Sequence, residues 1–321
     1  MATQKHLAVF ALTNSWMQET VLNGAPAEFE VRFLNIKDEQ EAHRLLPMAD
    51  FLMTMKLPSS YVPLLKKCKL VQIHGVGYDG IDTKGLAKAG IPLAACPEGT
   101  ITGLAEHVIL LILALYKQLI RLHESMREGK YDNVVWRSGS HLLCGKVVGI
   151  VGLGRAGRRV AQVARGFETR LIYYDAIRAE PSFEEELEVR YVPFDALLTQ
   201  ADIVSVHTPL TDKTMSLFGA REFARMKPGA LFINTSRGGT YDMNALYESL
   251  RSGHLGGAGL DVFNPDPPPP DHPILQLSNV ICTPHMSAGT VEAQLEKVHV
   301  QFDNFKRVLK GEAPRNLLHI D

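Results

Sequence analysis

The sequence predicts an α/β protein of two domains, each built on a largely parallel β-sheet. Short apolar runs alternate with helical patterns from Lys146 onward, and the same rhythm is present more weakly in the first half of the chain. This alternation is typical of βαβ units, whose strands are buried on both faces of a parallel sheet. A length of 321 residues exceeds that of a usual single domain and favours two.

Each strand predicted in the second half is a short and nearly continuous apolar run. These strands span residues 146–151, 169–174, 202–206, 229–234, 256–262 and 279–283. Helical patterns separate them, most clearly at 155–165 and 242–252.

The first half is predicted to form a second α/β domain. Its strands are expected at 6–11, 29–34, 50–54, 70–73 and 91–94, and its helices at 15–22, 59–67 and 83–89. One long helix is predicted over 101–128, packed between the domains or against a second subunit, because its apolar residues are too dense for a solvent-facing linker. An amphipathic pattern over 289–310 predicts a last helix that ends at Gly311.

Composition argues against several classes of function. The formal net charge is -1 and the basic residues are scattered, whereas nucleic-acid binding normally requires a basic face. The longest apolar run, Val108–Tyr116, is too short to span a bilayer, and the N-terminus is predicted to be a strand and not a signal peptide. The cysteines form no CxxC pair, which argues against a disulfide or zinc framework and favours a reducing cytoplasm.

Residues 152–157 read Gly-Leu-Gly-Arg-Ala-Gly, a GxGxxG turn between a predicted strand and a helix rich in small residues. Gly152 permits the tight turn, Gly154 lets the backbone approach a pyrophosphate, and Gly157 lets helix and strand pack closely. The amides at the helix N-terminus would then face the phosphates. The alternative is a glycine-rich turn that holds no ligand. The predicted cofactor-binding residues of the turn are Gly152, Gly154, Arg155, Ala156 and Gly157.

Asp175 ends the next predicted strand, 18 residues after the third glycine. Its carboxylate can accept hydrogen bonds from both ribose hydroxyls and would repel a 2′-phosphate, so NAD is the predicted cofactor. Arg178 lies nearby and leaves some use of NADP open.

The chemistry is expected beyond the carboxyl ends of the strands, where ligands bind in open α/β sheets. Among the histidines, only His207 and His285 directly follow well-defined strands of the cofactor domain, while His74 precedes Gly75-Val76-Gly77 and would face the cleft. The same rule selects Arg237, in the segment 235–239. It also selects the acids of the segment 261–266.

An arginine, a histidine and a carboxylate at one cleft suit the reduction of a 2-oxo acid. A guanidinium binds the keto acid through two parallel hydrogen bonds, and an imidazolium donates a proton to the carbonyl oxygen as the hydride arrives. Taken singly, Arg237 is equally well explained as part of a loop salt bridge, and His285 is better explained as a structural histidine. Their common position at strand ends favours the catalytic interpretation.

With these segments in order, the chain resembles the D-isomer-specific 2-hydroxyacid dehydrogenases, which include glyoxylate/hydroxypyruvate reductases and phosphoglycerate dehydrogenases. The resemblance covers nearly the whole chain. The segments that carry it are 75–79 (GVGYD), 105–107 (AEH), 149–157, 206–210 (VHTPL), 234–239, 259–263 and 283–285 (TPH).

The resemblance implies two Rossmann-like or flavodoxin-like domains with the active site in the cleft between them. The substrate domain would comprise 1–103 and 289–321, and the NAD-binding domain 104–288. The long helix 101–128 would support a homodimer.

The resemblance also implies the roles of individual residues. Arg237 would bind the substrate, and His285 would be the acid/base. The backbone of Val76 and Gly77 would hold the substrate carboxylate. The further cofactor-binding residues would be Thr208 and Pro209 on the adenosine side, Thr235, and Asp261 at the nicotinamide carboxamide.

Two positions depart from the family pattern. Where the family has Glu followed by Pro, this chain has Asp266-Pro267, and an aspartate carboxylate would fall about 1.5 Å short of His285. Either the proline-rich loop moves inward or a water bridges the gap; otherwise activity would be favoured at lower pH. Ser287 stands where the family usually has Gly, and its hydroxyl would lie near substrate or cofactor.

Two functions remain as hypotheses. The first is an NAD-dependent dehydrogenase that acts on a small 2-oxo or D-2-hydroxy acid. The second is a non-catalytic NAD-sensing interaction module similar to the co-repressors of the family, which the altered Asp266 would suit. Lys56, after a strand of the substrate domain, is either a group that binds a second anionic group of the substrate or a solvated surface lysine.

Overall fold

The computed structural model describes residues 5–131 and 133–320. Its strands are β1 (His6–Phe10), β2 (Phe29–Phe33), β3 (Phe51–Met53), β4 (Leu70–Gln72), β5 (Leu93–Ala94), β6 (Val147–Val151), β7 (Arg170–Tyr174), β8 (Val189–Tyr191), β9 (Ile203–Val206), β10 (Leu231–Asn234), β11 (Gly257–Leu260), β12 (Val280–Cys282) and β13 (Leu317–Leu318).

The α-helices alternate with these strands over most of the chain. They are α1 (Ser15–Gly24), α2 (Glu39–Leu45), α3 (Thr83–Ala89), α4 (Thr100–Tyr116), α5 (Leu119–Arg127), α6 (Arg155–Arg165), α7 (Pro181–Leu187), α8 (Phe194–Gln200), α9 (Ala220–Arg225), α10 (Met243–Arg251) and α11 (Val291–Leu309). The chain divides into two compact units: unit 1 comprises Met1–Thr100 with Gly289–Asp321, and unit 2 comprises Ile101–Ala288. The boundary expected from the sequence lay at 103.

Unit 2 contains a parallel sheet in the order β12-β11-β10-β9-β6-β7-β8. Strands β9, β10 and β11 are buried along their whole length, because helices cover both faces of the sheet and apolar side chains suit both. Parallel strands end at the same edge, so the loops after β6, β7, β9, β10, β11 and β12 lie at one edge of this sheet.

Unit 1 contains a sheet in the order β13-β5-β4-β3-β1-β2, parallel except for β13, which pairs antiparallel with β5. Helix α11 packs its aromatic side chains against this sheet. The rings of Phe51 and Phe305 stack with centroids 4.5 Å apart, and Phe10 and Phe29 contact Phe302. The C-terminal helix therefore belongs to the core of unit 1.

The single helix predicted over 101–128 was wrong. Helix α4 ends at Tyr116 and α5 begins at Leu119, with an angle of 59° between them. Gln118 adopts a left-handed backbone conformation at φ 52°, which no continuous α-helix contains. The density of apolar residues indicated burial, but it carried no information on where the backbone turns.

Other elements also differ from the expectation, among them β13 and α2, which were not predicted. The helix predicted at 59–67 is a 3₁₀ helix over Ser59–Leu64 with Pro63 inside it; proline supplies no N–H for an α-helical hydrogen bond. The predicted elements omitted β8, which is only three residues long.

No single helix of the described residues is both long and apolar enough to cross a membrane; the bent pair of α4 and α5 meets the length and composition criteria only when taken together.

Candidate active site

The glycine turn connects β6 to α6 at the edge of the sheet in unit 2. Gly152 has φ 95°, a conformation that residues with a side chain rarely adopt, and a Cβ there would lie 2.9 Å from the carbonyl carbon of His207. A Cβ at Gly157 would collide with the carbonyl oxygen of Gly152. A Cβ at Gly154, by contrast, would meet no atom within 4 Å. Two of the glycines are thus required by the packing of the turn, and the third leaves its backbone open to a ligand.

Asp175 is fixed beside this turn by its own hydrogen bonds. Its carboxylate accepts one from the backbone N–H of Leu153 at 2.8 Å and one from Ile177 at 3.3 Å. Each carboxylate oxygen has a second acceptor site, so the group can still bind hydroxyls.

Arg178 is engaged by an acid of α7. Its guanidinium donates two hydrogen bonds of 2.8 Å to the two carboxylate oxygens of Glu184, and the hydroxyl of Tyr173 donates a third at 2.6 Å. These donors lower the pKa of Glu184 to about 2. The arginine that the sequence analysis considered for a 2′-phosphate therefore already binds a carboxylate in bidentate fashion.

Buried polar atoms lie where an adenosine and nicotinamide ligand is expected. Within the described residues, the hydroxyl oxygens of Thr208 and Thr235 have no hydrogen-bond partner although both atoms are buried. Such atoms are rare in folded proteins unless a ligand or water satisfies them. With the open space at Gly154, these residues fit NAD, which is the cofactor of this domain.

His207 follows β9 and is half-buried, and its ring lies in an environment that favours the neutral form. One ring nitrogen lies 2.8 Å from the hydroxyl of Ser205, and burial lowers the pKa of His207 to about 4. At neutral pH the ring is therefore uncharged and is a poor general acid.

Three further loops at this edge of the sheet follow β10, β11 and β12, which are adjacent strands. Arg237, Asp261 and His285 lie just beyond these strands, so the structure brings all three to one edge of unit 2. Asp261 is completely buried. Its carboxylate accepts hydrogen bonds from the backbone N–H groups of Met286 at 2.7 Å and Ser287 at 2.8 Å.

The loop of Arg237 depends on a residue to which the sequence analysis gave no role. Asn234, completely buried, accepts hydrogen bonds from the N–H of Ser236 at 2.9 Å and donates to the hydroxyl of Thr240 at 3.0 Å. A Cβ at Gly238 would collide with the backbone of Phe263, so this loop also packs closely on the loop after β11. The signal in the sequence was an amide at the end of an otherwise apolar strand.

His285 and Asp266 form a direct pair, with 2.7 Å between Nδ1 and a carboxylate oxygen. The expected shortfall of the aspartate does not occur in the structure, and no bridging water is needed. His285 has φ 56°, in the left-handed region that a residue with a side chain seldom occupies. Strained conformations of this kind concentrate at functional sites.

The candidate substrate residues of unit 1 follow two neighbouring strands of its sheet. Lys56 comes after β3 and is exposed, and Val76 and Gly77 come after β4. The N–H of Leu57 donates to the carbonyl of Gly80 at 2.8 Å, so the two loops are adjacent.

His74 was expected to face a cleft, and the structure contradicts this. Its ring is buried against α11, where Nε2 lies 2.7 Å from the side-chain oxygen of Gln294 and Nδ1 lies 2.9 Å from the amide nitrogen of Gln301. Burial lowers its pKa to about 4. His74 links β4 to α11 and is a structural residue.

One edge of a parallel sheet carries the glycine turn, Asp175 and the buried hydroxyls of Thr208 and Thr235. These features define a dinucleotide-binding α/β domain. Residues 109–287 match the family model described as D-isomer specific 2-hydroxyacid dehydrogenase, NAD binding domain. The chain is 38% identical over 271 residues to a glyoxylate reductase of Korarchaeum cryptofilum, covering 84% of this chain and 81% of that protein.

A second relative, a D-3-phosphoglycerate dehydrogenase of Archaeoglobus fulgidus, is 35% identical over 265 residues, 83% of this chain, which spans only 50% of that protein. The apo structure of D-lactate dehydrogenase from Escherichia coli superposes with a TM-score of 0.85 at 25% identity, over 98% of this chain and 100% of that one. The chain belongs to the D-isomer specific 2-hydroxyacid dehydrogenases and is an NAD-dependent enzyme that interconverts 2-oxo and 2-hydroxy acids. The non-catalytic NAD-sensing module finds no support in these comparisons.

Proposed function

We propose that the enzyme reduces a small 2-oxo acid to the D-2-hydroxy acid, with Arg237, His285 and Asp266 as its catalytic residues. The observation that carries the proposal is the 2.7 Å contact between His285 and Asp266, in loops beside that of Arg237. A carboxylate at this distance accepts a hydrogen bond from Nδ1 and so holds the ring that is to donate a proton in one orientation.

His285 acts as the general acid in the direction of reduction. Asp266 binds Nδ1, so Nε2 is the nitrogen left to donate a proton to the substrate carbonyl oxygen. When bound, NADH supplies the hydride that this proton accompanies. In the reverse direction His285 accepts the hydroxyl proton, and Asp266 stabilises the imidazolium that forms.

Arg237 binds and polarises the 2-oxo acid. Its guanidinium carries a permanent charge and paired N–H donors that match the oxygens of a keto acid. The hydrogen bonds of Asn234 and Thr240 hold its loop, and a rigid loop fixes the substrate in one orientation.

The cofactor is held by the residues that line the strand ends. The helix N-terminus after the glycine turn binds the pyrophosphate, and Asp175 binds the ribose hydroxyls. Thr208 and Thr235 satisfy their buried hydroxyls on the cofactor. Pro209 on the adenosine side and Asp261 at the nicotinamide are assigned by resemblance alone.

Substrate selection is assigned to unit 1. The resemblance gives Val76 and Gly77 to the substrate carboxylate. Lys56 is exposed beside the same loop, and its ammonium would attract a second anionic group on a dianionic substrate.

A homodimer is part of the proposal. Large apolar side chains are exposed on α4, on α5 and in the segment that follows, and such a concentration marks an interaction surface. They are Leu110, Leu119, Ile120, Met126, Tyr131, Val134, Val135 and Leu142, here called the apolar patch.

The cytoplasm is the proposed compartment. The cysteines of the described chain, Cys68, Cys96, Cys144 and Cys282, are all free thiols. A reducing compartment maintains thiols in that form.

A substrate panel tests the function directly. Purified protein with NADH and glyoxylate, hydroxypyruvate, pyruvate, phenylpyruvate or 2-oxoglutarate is expected to oxidise NADH, followed by absorbance, with chiral analysis of the product. Lys56→Ala in the same panel should raise KM for 2-oxoglutarate more than for the monoanions. Absence of turnover with every 2-oxo acid, despite measured NADH binding, would contradict the proposal.

A further inference from the structure

The loop that carries His285 is anchored on the buried carboxylate of Asp261. Asp261 accepts hydrogen bonds from the N–H groups of Met286 and Ser287, the two residues that follow His285. The side-chain hydroxyl of Thr283, two residues before it, donates to the same carboxylate at 2.6 Å. Both flanks of His285 therefore converge on one group.

Thr283 is in turn held by a residue of α4. Its hydroxyl has a single proton, which the 2.6 Å contact to Asp261 uses. The contact of 3.0 Å between the hydroxyl oxygen and His107 Nε2 must then run in the other direction, with His107 donating. His107 is largely buried, and its Nε2 lies 3.9 Å from a carboxylate oxygen of Asp261. His107 and Thr283 thus form a chain of hydrogen bonds that ends on the buried carboxylate.

These hydrogen bonds stabilise a segment whose backbone conformation is unfavourable. A left-handed backbone is unfavourable at a residue with a side chain, and His285 has φ 56°. Its own N–H donates to the carbonyl of Thr283 at 3.0 Å, so a shift of Thr283 moves His285 directly. Without the anchor, the loop is expected to relax to ordinary backbone angles and carry the imidazole with it.

We propose that Thr283 and His107 are positioning residues, which hold the His285 loop in its strained conformation through Asp261. The proposal rests on the proposed function of His285 as acid/base. Neither side chain touches the reacting atoms. Their loss displaces the imidazole, and a displacement of about 1 Å lowers turnover by up to a hundredfold.

Thr283→Val and Thr283→Ser form the matched pair for the test. Valine keeps the shape and removes the hydroxyl, whereas serine keeps the hydroxyl. In the absence of any substrate, Thr283→Val is expected to speed hydrogen–deuterium exchange of the Met286 and Ser287 amides, with exchange in β10 and β11 unchanged. In the assay it should lower kcat by roughly ten- to a hundredfold with little change in NADH affinity, and Thr283→Ser should restore both values.

His107 provides a second pair if Thr283→Val unfolds unit 2. Gln places an amide N–H about where the Nε2 proton of His107 lies, and Leu keeps bulk without a donor. His107→Leu is expected to reproduce the local exchange and the loss of kcat, and His107→Gln to rescue both. Differential scanning calorimetry separates a local effect from global destabilisation.

The possible results distinguish this inference from the proposed function. Unchanged exchange at 286 and 287 in Thr283→Val and His107→Leu would overturn the positioning role, whatever the turnover. Equal impairment by the conservative and the disruptive member of each pair would also overturn it. If wild-type protein binds NADH but reduces no 2-oxo acid, the proposed function fails, and the exchange data still decide whether Thr283 and His107 anchor the loop.

Discussion

An aspartate faces His285 in this chain, and both side chains are partly open to solvent, at 53% and 37% exposure. Solvent screens such a pair, so its Coulombic contribution to stability is small. In the proposed mechanism its contribution to the reaction is of another kind. A hydrogen bond to Nδ1 fixes which ring nitrogen is left for the substrate and holds the plane of the ring, and both effects survive screening.

Replacing Asp266 with Asn tests this residue-scale role. An amide can present either its oxygen or its NH2 group to Nδ1, so it no longer fixes which ring nitrogen carries the proton. We expect kcat/KM for reduction to fall by about ten- to a thousandfold, in the range of one general-acid contribution. Steady-state kinetics with NADH and the preferred 2-oxo acid measure this quantity.

Asp266→Glu is the matched control. It restores the carboxylate with one additional methylene, so its kcat/KM is expected to lie closer to that of the wild type than the kcat/KM of Asp266→Asn does. A kcat/KM of Asp266→Asn equal to that of the wild type would exclude Asp266 as the partner of the acid/base.

Cofactor choice provides a second test at the scale of single residues. Arg178 is the cation closest in sequence to Asp175, and Glu184 holds it in a bidentate pair. We expect Glu184→Gln to release the guanidinium and raise kcat/KM for NADPH by up to about tenfold, the value of one good charged contact, with NADH use unchanged. The double variant Glu184→Gln/Arg178→Ala should abolish the gain. A gain that persists in the double variant would mean that Arg178 does not contact the phosphate.

At the scale of elements, the strands and the nucleotide turn were predictable, while the path between α4 and α5 was not. An apolar run of strand length that follows a polar loop is almost sufficient to predict a buried strand. The break at Gln118 instead depends on a left-handed residue that composition does not reveal. Burial and backbone direction are separate properties, and the sequence pattern reports mainly the first.

The nucleotide turn offers an element-scale test, because its glycines serve different purposes. Gly154→Ala places a methyl group in open space, so the melting temperature should stay within a degree or two and NADH affinity should fall at least tenfold, because the cofactor requires that space. Gly157→Ala forces a methyl group against the carbonyl of Gly152, so it should lower stability by roughly 1–3 kcal/mol. Calorimetry and NADH fluorescence titration measure the two effects. Loss of stability in Gly154→Ala would show that this position is filled by protein and not by cofactor.

At the scale of the whole molecule, the residues of the candidate site that follow strands could be predicted from the sheet topology, and the others could not. The rule of the carboxyl ends selected Arg237, Asp261, Asp266 and His285, because each follows a strand within a few residues. It could not find His107, which lies on a helix 176 residues from its partner Thr283. It also selected His74 and His207 for their places in the chain, although burial makes both rings neutral. Such contacts depend on packing between elements, which no local pattern encodes.

The apolar patch carries the last prediction, which concerns assembly. If it is the interface between two copies, wild-type protein should sediment at twice the 35.5 kDa of one chain. Ile120→Lys combined with Leu142→Lys should shift this to the monomer, because each buried lysine would have to lose its hydration without a partner. Leu22→Lys, an exposed apolar residue of α1 outside the patch, is the control and should remain dimeric. Sedimentation velocity at several concentrations distinguishes the species, and a dimer that tolerates both lysines would place the interface elsewhere.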